Sequence, residues 1–106
     1  MNDDDAIGGV APPRGYNTNP DGRETIDRIR ETIGLALDVG FDRGLAAPDA
    51  AFYAYCRGQA LKYRDRLGKE GRSPNDDHAK MTWYEDMAMH LLQPDTHPDP
   101  RAYRSP

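Results

Sequence analysis

Between Pro48 and Gly68 the chain carries a stripe that only a helix accommodates. Phe52, Cys56, Ala60, Tyr63 and Leu67 recur four, four, three and four residues apart, the period of a helix face and not of a strand. Pro48 suits the first helical position, where its missing N–H costs nothing. Gly68 suits the C-terminal stop. The spacing predicts an amphipathic helix of about five turns. Gly58 falls in its middle, where glycine costs on the order of 1 kcal/mol relative to alanine. Something must need the missing side chain there, a crossing helix or a ligand.

Two further helices flank this one. Over residues 21–37, Ile26, Ile29, Ile33 and Leu37 keep helical spacing, while Arg23, Asp27, Arg30 and Glu31 fill the wet face. Asp21 could cap the start, and Gly34 weakens the last turn. A connector over 38–47 holds Gly40, Gly44 and a lone Phe41. Beyond the middle helix, Ser73 reads as an N-cap, Pro74 as the first helical position and Asp76 as the reciprocal cap position. Ala79, Trp83, Met87 and His90 or Leu91 mark the inner face of this third helix, and Pro94 stops it. No alternating β-branched run and no internal repeat occurs. The expected fold is all-α, a small bundle of three main helices with flexible arms at both ends.

The expected organisation is an arm at residues 1–19 with Gly8-Gly9 and Pro12-Pro13, a helical domain at 20–93, and a disordered tail at 94–106 that is rich in proline. That leaves about 70 residues to fold, a size marginal on its own, so a homo-oligomer is expected.

The net charge of −4 argues against general nucleic-acid binding, which needs a basic face. The charge is uneven, however. Arg57, Lys62, Arg64, Arg66, Lys69 and Arg72 face only Asp65 and Glu70 in that stretch, six cations against two acids and a local net of +4. A basic segment on an acidic protein points to a small anion. The single cysteine, Cys56, can form no disulfide within the chain, which fits a reducing cytoplasm. No apolar run approaches the ~18 residues of a membrane span. The acidic opening Met1-Asn2-Asp3-Asp4-Asp5 is unlike a signal peptide.

Three groups of residues could carry chemistry. The loop Lys69-Glu70-Gly71-Arg72, before a helix N-terminus and within reach of Lys62 and Arg66, reads either as a phosphate cradle or as a solvated basic turn. It is not a Walker A loop, because Glu70 follows Lys69 and no strand precedes it. Tyr63 with Trp83-Tyr84 offers aromatic faces for a base, or serves the core. Asp76-Asp77 could hold Mg2+ between phosphates, or cap the helix, and Asp76 fits the cap best. His78, His90 and His97 have no metal-site spacing, and Cys56 on the apolar stripe reads as a core thiol.

The run Phe52-x-x-Tyr55-Cys56-Arg57-Gly58-Gln59-x-x-Lys62-Tyr63-x-x-Arg66-x-Gly68-Lys69 resembles the central signature of a family of small phage and prophage proteins, the nucleotide kinase-like family. Downstream, Asp76, Lys80, Trp83 and Tyr84 are similar to its Asp, Lys and Trp-Tyr. Upstream, Pro13-Arg14-Gly15-Tyr16, Gly22 and Glu24-Thr25-Ile26-Asp27 resemble its opening run. Gly15 stands where the family has His, Gln59 where it has Asn, and the stretch 37–51 is longer. The resemblance implies a nucleotide as partner, with Lys62, Arg66 and Lys69 on the phosphates and Lys62 and Arg66 as the catalytic pair. Lys80, Tyr63 and Gly68 join that site by the same match, and Gly58 becomes a place of close approach. Tyr16, Gln59 and Tyr84 would contact base or sugar, and Asp27 or Glu24 would orient the acceptor. A nucleoside triphosphate donor, with Mg2+, would supply the phosphoryl group.

Three functions follow as expectations. The first is a phage nucleotide kinase-like enzyme acting on a nucleoside monophosphate in the host cytoplasm. The second, motivated by Gly15, is a protein that binds or sequesters a nucleotide, or a nucleotide signal of host defence, without turnover. The third is an interaction protein that meets a host enzyme through Asp3-Asp4-Asp5.

Overall fold

The computed structural model describes residues 24–103; the arm at 1–19 with Tyr16, and the cap position Asp21, lie outside them. Three helices carry the fold: α1 (Thr25–Asp42), α2 (Ala47–Arg66) and α3 (Pro74–Leu92), with no strand among the described residues. The all-α class read from periodicity holds. Among the described residues, no helix is long and apolar enough to cross a membrane. The starts form as the punctuation predicts. Pro48 lies in the first turn of α2. The Ser73 hydroxyl accepts the Asp76 N–H at 3.3 Å, closing the N-terminus of α3.

α2 is the middle helix. α1 packs along one side of it and α3 along another, while α1 and α3 meet little. A helix held between two neighbours is buried on two faces, so the single stripe on α2 described only part of its burial. Tyr53, Ala54, Gly58 and Leu61 are buried alongside Cys56 and Ala60. Phe52, placed on the inner stripe by spacing, is 37% exposed.

Small residues set the α1–α2 contact. The connector expected over 38–47 contracts to 43–46, because α1 runs on through Gly40. A Cβ at Gly40 would stand 3.1 Å from the Ala50 Cβ, so glycine is what lets the two backbones approach there. α1 accordingly buries Thr25, Ala36 and Gly40, while Ile26 of the expected stripe is 63% exposed. The core proper gathers Ala36, Tyr53 and Cys56 around Trp83 and Met87.

The segment after α3 departs from the disordered tail expected of its prolines. As far as Tyr103 it turns back along α3 and ends in a 3-10 turn, Pro100–Ala102. Pro100 is fully buried. The His90 ring donates from Nδ1 to the His97 carbonyl at 2.8 Å. Asp99 accepts the Arg101 N–H at 2.9 Å, which caps the turn. The prolines here end one helix and pack against it.

Candidate functional site

With α1 and α3 on two sides, α2 keeps a third face open. Phe52, Tyr55, Gln59, Lys62 and Arg66 follow one another at three- and four-residue steps, so they share it. At one end are two exposed aromatic rings, Phe52 and Tyr55, with centroids 6.3 Å apart and planes inclined by 13°. Tyr55 meets Tyr84 of α3 edge-on at 6.1 Å, and Tyr84 stacks on Tyr63 at 6.1 Å and 5°. An aromatic row thus runs from Phe52 to Tyr63. Gln59 lies beside it and donates from Nε2 to the Tyr55 hydroxyl at 3.2 Å. Partial burial, then the Tyr84 phenol, raises the Tyr55 pKa above its ordinary value.

Three cations close over the far end of this row. Lys62 Nζ lies 5.2 Å from the Tyr63 ring centroid, Lys80 Nζ 5.4 Å and the Arg66 guanidinium carbon 5.5 Å. Each is within cation–π range. Among the described residues no ion pair reaches Lys62, Arg66 or Lys80. Burial lowers the Lys62 pKa, and the neighbouring charges of Arg66, Lys80 and Arg72 lower it further. Like charges this close repel unless an anion joins them.

Two carboxylates near the cluster are already engaged. Asp77 is fully buried and accepts from Arg72 twice, from Nη2 at 2.8 Å and from Nε at 3.2 Å. The Arg72 hydrogen bonds hold the Asp77 carboxyl below its usual range; burial opposes them, and the charges of Arg72, Arg66 and Lys80 add to the lowering. Asp65 accepts from Arg28 Nη1 at 3.0 Å, fastening the start of α1 to the end of α2. Of the acidic pair Asp76-Asp77, Asp76 is exposed and gives the Ser73 cap its backbone N–H, and Asp77 is the internal counter-ion of the basic loop.

The loop backbone is engaged in the same way. The Lys69 amide donates to the Arg66 carbonyl at 3.1 Å and the Arg72 amide to the Lys69 carbonyl at 3.2 Å, so the turn itself uses them. Gly68 and Gly71 sit at φ +81° and +80°, with no atom within 4 Å of an added Cβ. They are glycines for their left-handed backbone rather than for close approach. Gly58 is the reverse case. A Cβ there would meet Ile33 Cγ1 at 2.9 Å, so its missing side chain admits α1 and no ligand.

Beside the open face lies a groove of about 330 Å3. Gln59, Lys62, Asp65 and Arg66 border it from α2, and Thr25, Ile26 and Ile29 from α1. Of the residues predicted for the site, Gln59, Lys62, Tyr63, Arg66, Lys80 and Tyr84 come together. Gly58 faces away, Gly68 and Lys69 belong to the adjoining loop, and Tyr16 lies outside the described residues. Asp27 is exposed in the first turn of α1. Trp83, weighed for stacking, is buried in the core and meets Tyr84 edge-on. Cys56 is buried too, and burial pushes its thiol up to about 12, which leaves no thiolate for nucleophilic work. The spacing reading passed over Tyr55 as a site residue and missed the Arg72–Asp77 pair. The first could have been found as a second three-four series on α2; the second has no signal beyond an Asp in the first helical turn.

Set against protein-family models, curated proteins and solved structures, the chain matches none.

Proposed function

We propose that this chain is a nucleotide-binding protein of the nucleotide kinase-like kind, with Lys62, Arg66 and Lys80 taking the phosphates. One observation carries the reading: three cations share a single tyrosine ring, and no carboxylate among the described residues pairs with any of them. Such a cluster lacks one thing, an anion. The aromatic row beside it supplies the second half of nucleotide recognition, because π-faces accept any base. Phosphoryl transfer asks a protein mainly for positioning and positive charge. Lys62 and Arg66, which also border the groove, are the residues to neutralise charge on a transferred group.

Binding without turnover is the second reading, and a specific feature favours it. Asp65 and Asp77, the carboxylates beside the cluster, are each committed to an arginine. Neither is placed to receive a proton from an acceptor hydroxyl.

The test is equilibrium binding and turnover of nucleoside mono-, di- and triphosphates by the wild type and by K62A/R66A. Binding at about 100 times the dissociation constant adds roughly 2.7 kcal/mol to stability, easily seen in thermal unfolding. Binding lost in a variant that still folds supports the site. Unchanged binding or unchanged turnover in that variant refutes it. Binding by the wild type without product over many hours selects the second reading.

A further inference from the structure

The open face of α2 has two ends, and the distance between them selects the ligand. We infer that Phe52 and Tyr55 form the base platform for a nucleoside di- or triphosphate whose outer phosphates lie on Lys62, Arg66 and Lys80; this rests on the nucleotide reading above. Phe52 and Tyr55 are the two aromatic rings exposed on this face, at 37% and 48%. They lie nearly parallel, and Gln59 steadies the Tyr55 hydroxyl. Tyr63 and Tyr84 are half-buried and stack on each other. Exposure therefore separates the two pairs, and the accessible platform lies at the Phe52 end.

Helical rise sets the span. Lys62 follows Tyr55 by seven residues and Arg66 by eleven, which places them about 10 Å and about 16 Å further along the axis. A monophosphate seated on Tyr55 comes within reach of Lys62 at most, whereas the outer phosphates of a longer chain extend on towards Arg66. The charge agrees with the length: Arg72 is offset by Asp77, and Lys62, Arg66 and Lys80 leave three positive charges at the far end. That number suits a di- or triphosphate chain and exceeds what a monophosphate carries. Lys80 comes from α3 and the other two from α2, so the chain would also bridge the two helices.

The experiment measures dissociation constants of the full chain for nucleoside mono-, di- and triphosphates and for inorganic tripolyphosphate, in the wild type and in F52A/Y55A. Triphosphate should bind at least tenfold more tightly than the monophosphate. Removing the platform should weaken triphosphate binding about tenfold or more, the scale of base stacking, and leave tripolyphosphate unmoved. A Phe52→Trp variant reports directly: its added fluorescence should be quenched by triphosphate and not by tripolyphosphate. Monophosphate binding as tight as triphosphate overturns the inference and leaves the nucleotide reading standing. So does a platform variant that loses tripolyphosphate as much as triphosphate, or loses neither. No binding of either ligand by the wild type overturns both.

Discussion

Removing Arg72 should harm this protein more than removing its partner Asp77. The two ends of the pair differ in their access to water: the Asp77 side chain is 1% exposed and the Arg72 side chain 33%. In R72A the carboxylate stays where it was, buried and without its two charge-assisted hydrogen bonds. Stripping one partner from a buried pair costs about 3–5 kcal/mol. Arg66 and Lys80 remain near enough to hold part of the charge, so the lower end, about 3 kcal/mol, is expected. In D77A no charge is stranded in the interior, because the Arg72 side chain is a third exposed, and the loss is about 1–2 kcal/mol for the two hydrogen bonds. The double variant should be more stable than R72A, because it no longer strands the buried carboxylate.

The assay is urea unfolding followed by circular dichroism at neutral pH, and the pH dependence supplies an independent sign. In the wild type the Asp77 carboxyl is held low, so its contribution is present above the ordinary carboxyl value of ~3.9 and is lost as pH falls through the lowered one. In R72A burial dominates and the carboxyl rises. The folded state then holds a proton that the unfolded state has shed, and stability falls as pH climbs through the raised value. The gap between wild type and R72A should therefore narrow from pH 7 towards pH 4. A D77A variant less stable than R72A, or a gap that widens on acidification, would refute the argument that Asp77 is the stranded partner.

Gly58→Ala gains about 1 kcal/mol of helix propensity and loses about 1–3 kcal/mol to overpacking against Ile33. Thermal unfolding should show a net cost near 1 kcal/mol in the wild type and a net gain in an I33A background. Deleting residues 94–106 uncovers the site where Pro100 is buried and should lower Tm by several degrees; an undocked tail would leave Tm unchanged. Lys62→Met removes a partly buried charge crowded by three others and should raise the stability of the ligand-free protein by about 0.5–1 kcal/mol while weakening phosphate binding. Because the Lys62 pKa is lowered, the unfolded state binds the extra proton: stability should rise, and phosphate affinity fall, as pH climbs through a value below the ordinary lysine range.

The helices were legible because their punctuation is local. Ser73, Pro74, Pro48 and Gly68 act on the backbone within a turn, and each works as its chemistry requires. What periodicity could not supply was the number of neighbours each helix has. A single stripe implies one partner, and α2 has two, so Tyr53 and Leu61 went uncounted and Phe52 was turned inwards. Gly40 read as a loop residue because glycine breaks helices in isolation; Ala50 of the next helix reverses that. The candidate site divides along the same line. Lys62, Tyr63 and Arg66 share one stretch of helix, and spacing alone puts them together. Lys80 and Tyr84 join them only through α2–α3 packing, which periodicity within one helix does not report. Asp77 cannot be told from Asp76 by sequence, since both suit the first turn of a helix. Only burial and the Arg72 guanidinium separate them.

The cluster at Tyr63 is arranged against the interest of the folded state alone. Basic residues in the last turn of a helix offset its dipole, and Arg64 and Arg66 at the end of α2 have that ordinary explanation. It does not extend to Lys80, which stands in the second turn of α3, beyond the reach of the dipole and four residues after Asp76. Nor does it explain why Lys62 is left partly buried among like charges. Cation–π contact with Tyr63 returns on the order of 0.5–1 kcal/mol per cation at a partly exposed site, and one ring cannot serve three cations at full strength. A sequence selected for stability alone would place a carboxylate at one of these positions. The carboxylates nearby are instead bound to Arg72 and Arg28, on the flanks, where they hold the loop and α1 in place without neutralising the centre. The positive charge is thus concentrated around the Tyr63 ring. On the nucleotide reading proposed above, an external anion would make that arrangement favourable, which is why stability and binding should move in opposite directions when Lys62 is replaced.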